Sequence, residues 1–261
     1  MPRLPLYHVD AFAAELYSGN PAAVCPLSEW LPDSVLQAIA RENNLSETAF
    51  FLTGGPKYPL RWFTPGGEVD LCGHATLATA FVLYRYLEAP GNRLEFHTRS
   101  GAVWVQRDGE RLTLDFPSRP PVPCPAPGAL VEGLGGNPEA VLRSRDYFVL
   151  YRTEAEVRAL RPDFGRLSGL DCLGTIVTAP GDECDFVSRF FAPDQGIPED
   201  PVTGSAHCTL VPYWAERLGK EVLHARQVSQ RGGELFCRLR GDRVEIGGSA
   251  VCYLEGEILL P

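Results

Sequence analysis

The chain has 261 residues, is 44% hydrophobic and 22% charged, and carries 13 Phe, 9 Tyr and 4 Trp. That composition excludes disorder and allows one large domain or two similar lobes. Its net charge is −9, with basic residues set singly among acids, which argues against nucleic acid or an anionic membrane surface as partners. The 26 Gly and 23 Pro exclude an all-helical fold, and no apolar run nears the roughly 18 residues of a membrane span.

Taken in chain order, Leu6–Phe12 reads as a first strand. Ser18-Gly19-Asn20-Pro21 is a tight turn before a short strand, Ala22–Cys25. Pro32 lies near the start of a helix through Ala40, with Leu31, Val35, Ile39 and Ala40 on one face. Glu47–Leu52 and Leu60–Phe63 read as strands, and Thr76–Leu87 as a helix with Leu77, Ala80, Phe81 and Tyr84 along one stripe. Leu94–His97, Gly101–Gln106 and Arg111–Phe116 alternate like meander strands, with Asp108-Gly109 as a hairpin turn. The proline-rich segment 117–128 fits neither a helix nor a central strand and is expected to cross between lobes.

In the second half, Tyr147–Tyr151, Leu173–Thr178 and Asp185–Phe190 read as strands. Thr153 caps a short helix to Leu160, with Glu156 completing a capping box. Ala206–Leu218 is a second long helix, stopped by Gly219. Leu235–Leu239, Val244–Ile246 and Ala250–Leu254 close the chain as strands. The expected fold is α+β: two largely antiparallel sheets, each with a long helix. The lobes are expected at 1–116 and 129–261, with the last strand able to pair with the first lobe. The eight cysteines include no CxxC pair and follow no secretory leader, which reads as free thiols in a reducing, cytoplasmic setting.

A repeat points to function. Residues 61–74 read RWFTPGGEVDLCGH and residues 189–202 read RFFAPDQGIPEDPV. With Pro65 laid on Pro193, Cys72 falls on Asp200 without a gap, and each copy runs into a helix that opens on small residues, Gly73-His74-Ala75-Thr76 and Thr203-Gly204-Ser205-Ala206. Such helix starts leave amide N–H groups for a carboxylate ligand. Two matched starts suggest two half-domains facing one cleft.

Several residue types there carry acid–base chemistry. Asp200 is either a turn acid or a catalytic group; His74 is either a structural histidine or a proton relay near neutral pH. Cys72 is either an acid or base or mere packing, and no second Cys matches it. Glu47 before an apolar strand is either a surface acid or a general base, and Asn20 either turns the chain or orients a substrate. There is no HExxH, no Walker loop and no GxGxxG fingerprint, and His207-Cys208 lacks the spaced partners of a zinc site. Cofactor-free and metal-free acid–base chemistry is the expectation.

Together the stretches VDAF (9–12), GNPAAV (19–24), NLSETAF (44–50), RWFTPGGEVDLCGHATLATA (61–80) and EDPVTGSAH (199–207) resemble the phenazine-biosynthesis PhzF-like family over essentially the whole chain. The resemblance implies a diaminopimelate epimerase-like fold of two pseudo-symmetric lobes, each a curved sheet around a central helix. The epimerase uses one cysteine from each lobe; Cys72 matches one, and Asp200 replaces the other. The family enzyme isomerises trans-2,3-dihydro-3-hydroxyanthranilate with a glutamate, a histidine, an aspartate and a serine, types matched by Glu47, His74, Asp200 and Ser205. By resemblance Glu47 moves the proton, while His74 and Asp200 bind substrate and assist. Ser205 and the helix start at Gly204 place its polar groups, and Asn20, Cys72 and Gly73 line the pocket. The resemblance also implies a homodimer. Competing readings are an amino-acid racemase or epimerase using Cys72 and Asp200, and a non-catalytic small-acid-binding or interaction protein.

Overall fold

The computed structural model describes residues 2–260. The chain divides into two compact units, one made of Met1–Asp115 with Gly247–Pro261, the other of Phe116–Ile246.

In the first unit, β1 (Arg3–Ala11) runs antiparallel to β2 (Asn20–Leu27). Gly19 makes this turn possible. Its φ is +69°, and a Cβ there would lie 2.3 Å from the Ala11 carbonyl oxygen. Helix α1 (Asp33–Asn43) buries Leu36 and Ala40 and returns the chain so that β3 (Glu47–Leu52) pairs parallel to β2. Next come β4 (Tyr58–Phe63), antiparallel to β3, and the two-residue β5 (Glu68–Val69). Helix α2 (Gly73–Arg85) is buried on nearly every side from His74 to Ala80, so it forms a core rather than a surface stripe. It packs against β1, β2 and β3. The meander β6 (Arg93–Thr98), β7 (Gly101–Asp108) and β8 (Arg111–Pro117) follows, with β6 parallel to β4 and Gly109 turning at φ +60°.

The second unit opens with β9 (Val122–Pro123), a two-residue edge within the proline-rich segment. Then come α3 (Gly128–Leu134), β10 (Ala140–Arg143) and β11 (Tyr147–Leu150). Helix α4 (Glu154–Ala159) is capped as expected: Glu156 N–H donates to Thr153 Oγ1, and Thr153 N–H donates to Glu156 Oε2. After α5 (Phe164–Leu167), β12 (Thr175–Pro180) pairs parallel to β11. β13 (Phe186–Ala192) runs antiparallel to β12, followed by β14 (Ile197–Asp200). The core helix α6 (Gly204–Leu218) carries Pro212 in its interior. Proline has no N–H to give the Cys208 carbonyl, and Arg119 N–H donates to that oxygen at 2.8 Å instead. β15 (Val222–Gln227) lies parallel to β13, then β16 (Gly233–Arg240) and β17 (Arg243–Gly248). The final strand, β18 (Ala250–Leu259), pairs antiparallel with β1 and so belongs to the first unit.

The two units share one pattern of strand pairing. A parallel pair (β2 with β3; β11 with β12) leads into antiparallel β4 or β13. A short return strand and a core helix follow, and then a strand parallel to β4 or β13. Matched arginines brace the two returns. Arg61 forks onto Glu68 at 2.6 and 2.7 Å, and Arg189 forks onto Glu199 at 2.7 and 3.0 Å. No helix among the described residues is long and apolar enough to cross a membrane. All eight cysteines are free thiols.

Candidate active site

In the first unit three elements converge on one imidazole. Asn20 opens β2 and Glu47 opens β3, two neighbouring parallel strands, so both side chains sit at the same end of the ladder. Cys72 is the N-cap of α2, Gly73 its first residue, and His74 stands in its first turn. Asn20, Cys72 and His74 are buried, and the Glu47 side chain is 13% exposed.

His74 Nδ1 is 3.4 Å from Asn20 Nδ2 and 3.5 Å from Cys72 Sγ. On the other side of the ring, Nε2 is 3.1 Å from Glu47 Oε2. This approach lies off the hydrogen-bonding axis, so His74 Nε2 and Glu47 Oε2 are both buried without a hydrogen-bond partner. Such atoms are costly in a protein interior unless something else meets them, which marks the spot as one made for a ligand.

Burial opposes the charged form of His74, but the neighbouring Cys72 and Glu47 outweigh it and hold the imidazole well above its ordinary value. The Cys72 thiol is itself pushed up, first by burial and then by the charge of Glu47. Cys72 and His74 therefore titrate as a coupled pair, the charge of each favouring that of the other. A carboxylate, an imidazole and a thiol within 4.8 Å of one another can accept, relay and return a proton. The same donor types also suit a thiophilic divalent ion.

The second unit places Asp200 at the end of β14, buried, three residues before the N-cap of α6. Thr203 Oγ1 donates to Asp200 Oδ2 at 2.5 Å instead of capping its own helix. Gln227 Nε2 donates to the Asp200 carbonyl at 2.7 Å, and Gln227 Oε1 accepts from Thr203 N–H at 2.9 Å. Gly204 is buried at the first position of α6, and Ser205 follows, partly exposed. Ser205 Oγ accepts from Arg145 Nη2 at 3.1 Å. Gln227 and Arg145 carried no sequence signal, and Thr203 was legible only as the opening of the second helix start. Arg145 lies in the charged turn Arg143-Ser144-Arg145-Asp146, which reads as ordinary surface.

His207 is set apart from this group. Its Nδ1–H donates to the Thr203 carbonyl at 2.8 Å, it packs beside Phe186, and burial pushes its pKa down to about 4. It is a neutral core histidine, with no metal-ligand group around it among the described residues.

The molecule is thus an α+β protein with an epimerase-like repeat and an acid–base cluster at the start of its first core helix. The family model for phenazine biosynthesis-like (PhzC-PhzF) proteins matches residues 9–256, and the chain belongs to that family. A Pseudomonas aeruginosa protein named as an uncharacterized isomerase is 54% identical over 98% of this chain and 99% of its own. The crystal structure of a PhzF-family phenazine biosynthesis protein from Enterococcus faecalis superposes with a TM-score of 0.97 at 49% identity, covering 99% of this chain and 100% of that one. A hydroxyproline epimerase from Agrobacterium vitis shares the fold alone: its TM-score is 0.61 at 10% identity, over 98% of this chain and 92% of its own.

Proposed function

We propose that this protein is a cofactor-independent isomerase that shifts a proton within a small unsaturated or amino-substituted carboxylic acid, of the trans-2,3-dihydro-3-hydroxyanthranilate type. The observation that carries this reading is the buried Glu47–His74–Cys72 cluster, with its unpartnered carboxylate oxygen and ring nitrogen. The isomerase name of the Pseudomonas aeruginosa relative supports it.

In this reading the Glu47 carboxylate takes the proton from C3. The electron pair left behind moves through the conjugated system, and the proton returns at its far end. His74 holds Glu47 in place and shares the proton, and Cys72 lines the pocket with Asn20 and Gly73. Asp200 and Ser205 contact the polar groups of the substrate, with Gly204 allowing close approach. The protein acts as a cytoplasmic homodimer, which sedimentation would test. Turnover in deuterium oxide should place solvent deuterium in the product. Product that forms with its original hydrogen fully retained at every concentration would count against Glu47 exchanging with water.

The contact between Cys72 and His74 favours one second reading, an amino-acid racemase or epimerase with Cys72 and Asp200 as the pair. Chiral analysis separates the two. Racemisation lost in Cys72→Ser but kept in Glu47→Gln would select the second.

A further inference from the structure

The carboxylate, imidazole and thiol of the first unit form a donor set that proton transfer does not exhaust. Among the described residues, Glu47, Cys72 and His74 are the one group in which three metal-ligating side chains bring a donor atom each within 4.8 Å of the others. The Glu47 and His74 side chains are 13% and 7% exposed, and Cys72 is buried.

Their spacing suits an ion better than a hydrogen bond. His74 Nε2 and Glu47 Oε2 stand 3.1 Å apart, and neither has a hydrogen-bond partner. Two ligands of a tetrahedral zinc ion, with Zn–N and Zn–O bonds of about 2.0–2.2 Å, are held roughly 3.3 Å apart and face the ion, not each other. Cys72 supplies a third corner. With a Zn–S bond of about 2.3 Å the edge from sulfur to nitrogen or oxygen is roughly 3.5 Å, so a sulfur movement of about 1 Å, by rotation about the Cα–Cβ bond, completes it. Asn20 Nδ2 lies 3.4 Å from His74 Nδ1, and the turned amide would present its oxygen to an Nδ1–H and hold the ring for the metal. A thiolate and a carboxylate together carry two negative charges in this enclosed spot, which a divalent cation cancels. The sulfur selects zinc over magnesium or calcium, which take oxygen ligands.

We propose that Glu47, Cys72 and His74 form a zinc-binding site, with water as the fourth ligand. Zinc there occupies the carboxylate and the ring nitrogen that move the proton, so it switches the enzyme off. That consequence, unlike the site itself, rests on the isomerase reading.

Titration of the reduced full chain with zinc and with cobalt(II) tests the site. Zinc should bind as one ion per chain by calorimetry. Cobalt should give the intense near-ultraviolet band of thiolate coordination, which zinc erases and magnesium does not. Cys72→Ser keeps the other thiols, so it should lose the band and weaken zinc by roughly a hundredfold or more, beyond the roughly 10–100-fold cost of losing an outer-shell partner. Glu47→Gln, with every thiol intact, should keep the band and weaken zinc likewise; thermal melts confirm that both variants stay folded. Absence of the band in wild type would overturn the inference, as would a zinc affinity unchanged in either variant. If only the isomerase reading fails, the band and its loss in Cys72→Ser persist without conversion of trans-2,3-dihydro-3-hydroxyanthranilate. If only the zinc site fails, conversion runs unchanged in zinc. Where both hold, a slight excess of zinc over protein stops conversion and EDTA restores it.

Discussion

His74 Nε2 stands 3.1 Å from Glu47 Oε2, with the side chains 7% and 13% exposed, yet the two atoms are not aligned as a hydrogen bond. The contact is electrostatic rather than an aligned hydrogen bond, and Glu47 helps hold the imidazole well above its ordinary value. An open carboxylate lone pair next to a ring nitrogen is the arrangement a base needs before its substrate arrives.

The thiol of Cys72 reports on the same cluster. Burial and then Glu47 raise its pKa, while His74 lowers it. Glu47→Gln removes a raising charge and should speed alkylation of Cys72 at about pH 8, whereas His74→Gln should slow it, since only the thiolate reacts. Site-resolved mass spectrometry after iodoacetamide treatment reads this directly. Equal rates in all three proteins would contradict the electrostatic coupling.

Asp200 is held by Thr203 Oγ1 at 2.5 Å and, through its carbonyl, by Gln227. Asp200→Asn should fold normally and lose turnover by roughly a hundredfold or more, the scale of a removed acid–base group. A mutant within a factor of about two of wild-type kcat would take Asp200 out of the mechanism.

Much of this was legible in the sequence, and what was not has physical reasons. The repeat register lays Arg61 on Arg189, and each forks onto a glutamate of its own return strand, a bracing the sequence did not indicate because Glu68 and Glu199 fall out of that register. Glu47, His74 and Cys72 meet because two strand starts and a helix start share one end of the unit, as the motifs around Asn20 and Glu47 implied. β15 escaped detection because its inward row, Leu223, Ala225 and Gln227, ends in a polar residue. Gln227 is buried to hold Asp200 and Thr203, and that function breaks the apolar alternation that signals a strand. Residues 117–128 read as proline-rich crossover, yet Val122–Pro123 forms a short edge, the one sheet position proline tolerates.

Gly19 should be irreplaceable. At φ +69°, with the Ala11 carbonyl oxygen 2.3 Å from any added Cβ, Gly19→Ala should cost about 1–3 kcal/mol or more and displace the neighbouring Asn20. Urea unfolding midpoints measure it. An unchanged midpoint would show that the turn relaxes freely.

His207 should give the fold an acid-sensitive window. Burial pushes its pKa down to about 4, below the roughly 6.5 of an unfolded histidine. The unfolded chain therefore binds the proton more readily. The stability from the neutral ring is complete above about pH 6.5 and is lost as pH falls through about 4, on the order of 3 kcal/mol in all. His207→Gln should remove this part of the pH dependence in urea melts compared across that window. An unchanged slope would mean that other groups control acid unfolding.

The central claim is that Glu47 is the base of an isomerase, and an ultraviolet time course with trans-2,3-dihydro-3-hydroxyanthranilate, comparing wild type with Glu47→Gln, tests it most directly. The expected result is conversion by wild type and a rate lower by roughly two to four orders of magnitude in the folded mutant. No conversion by well-folded wild type, or conversion by Glu47→Gln at the wild-type rate, would contradict it.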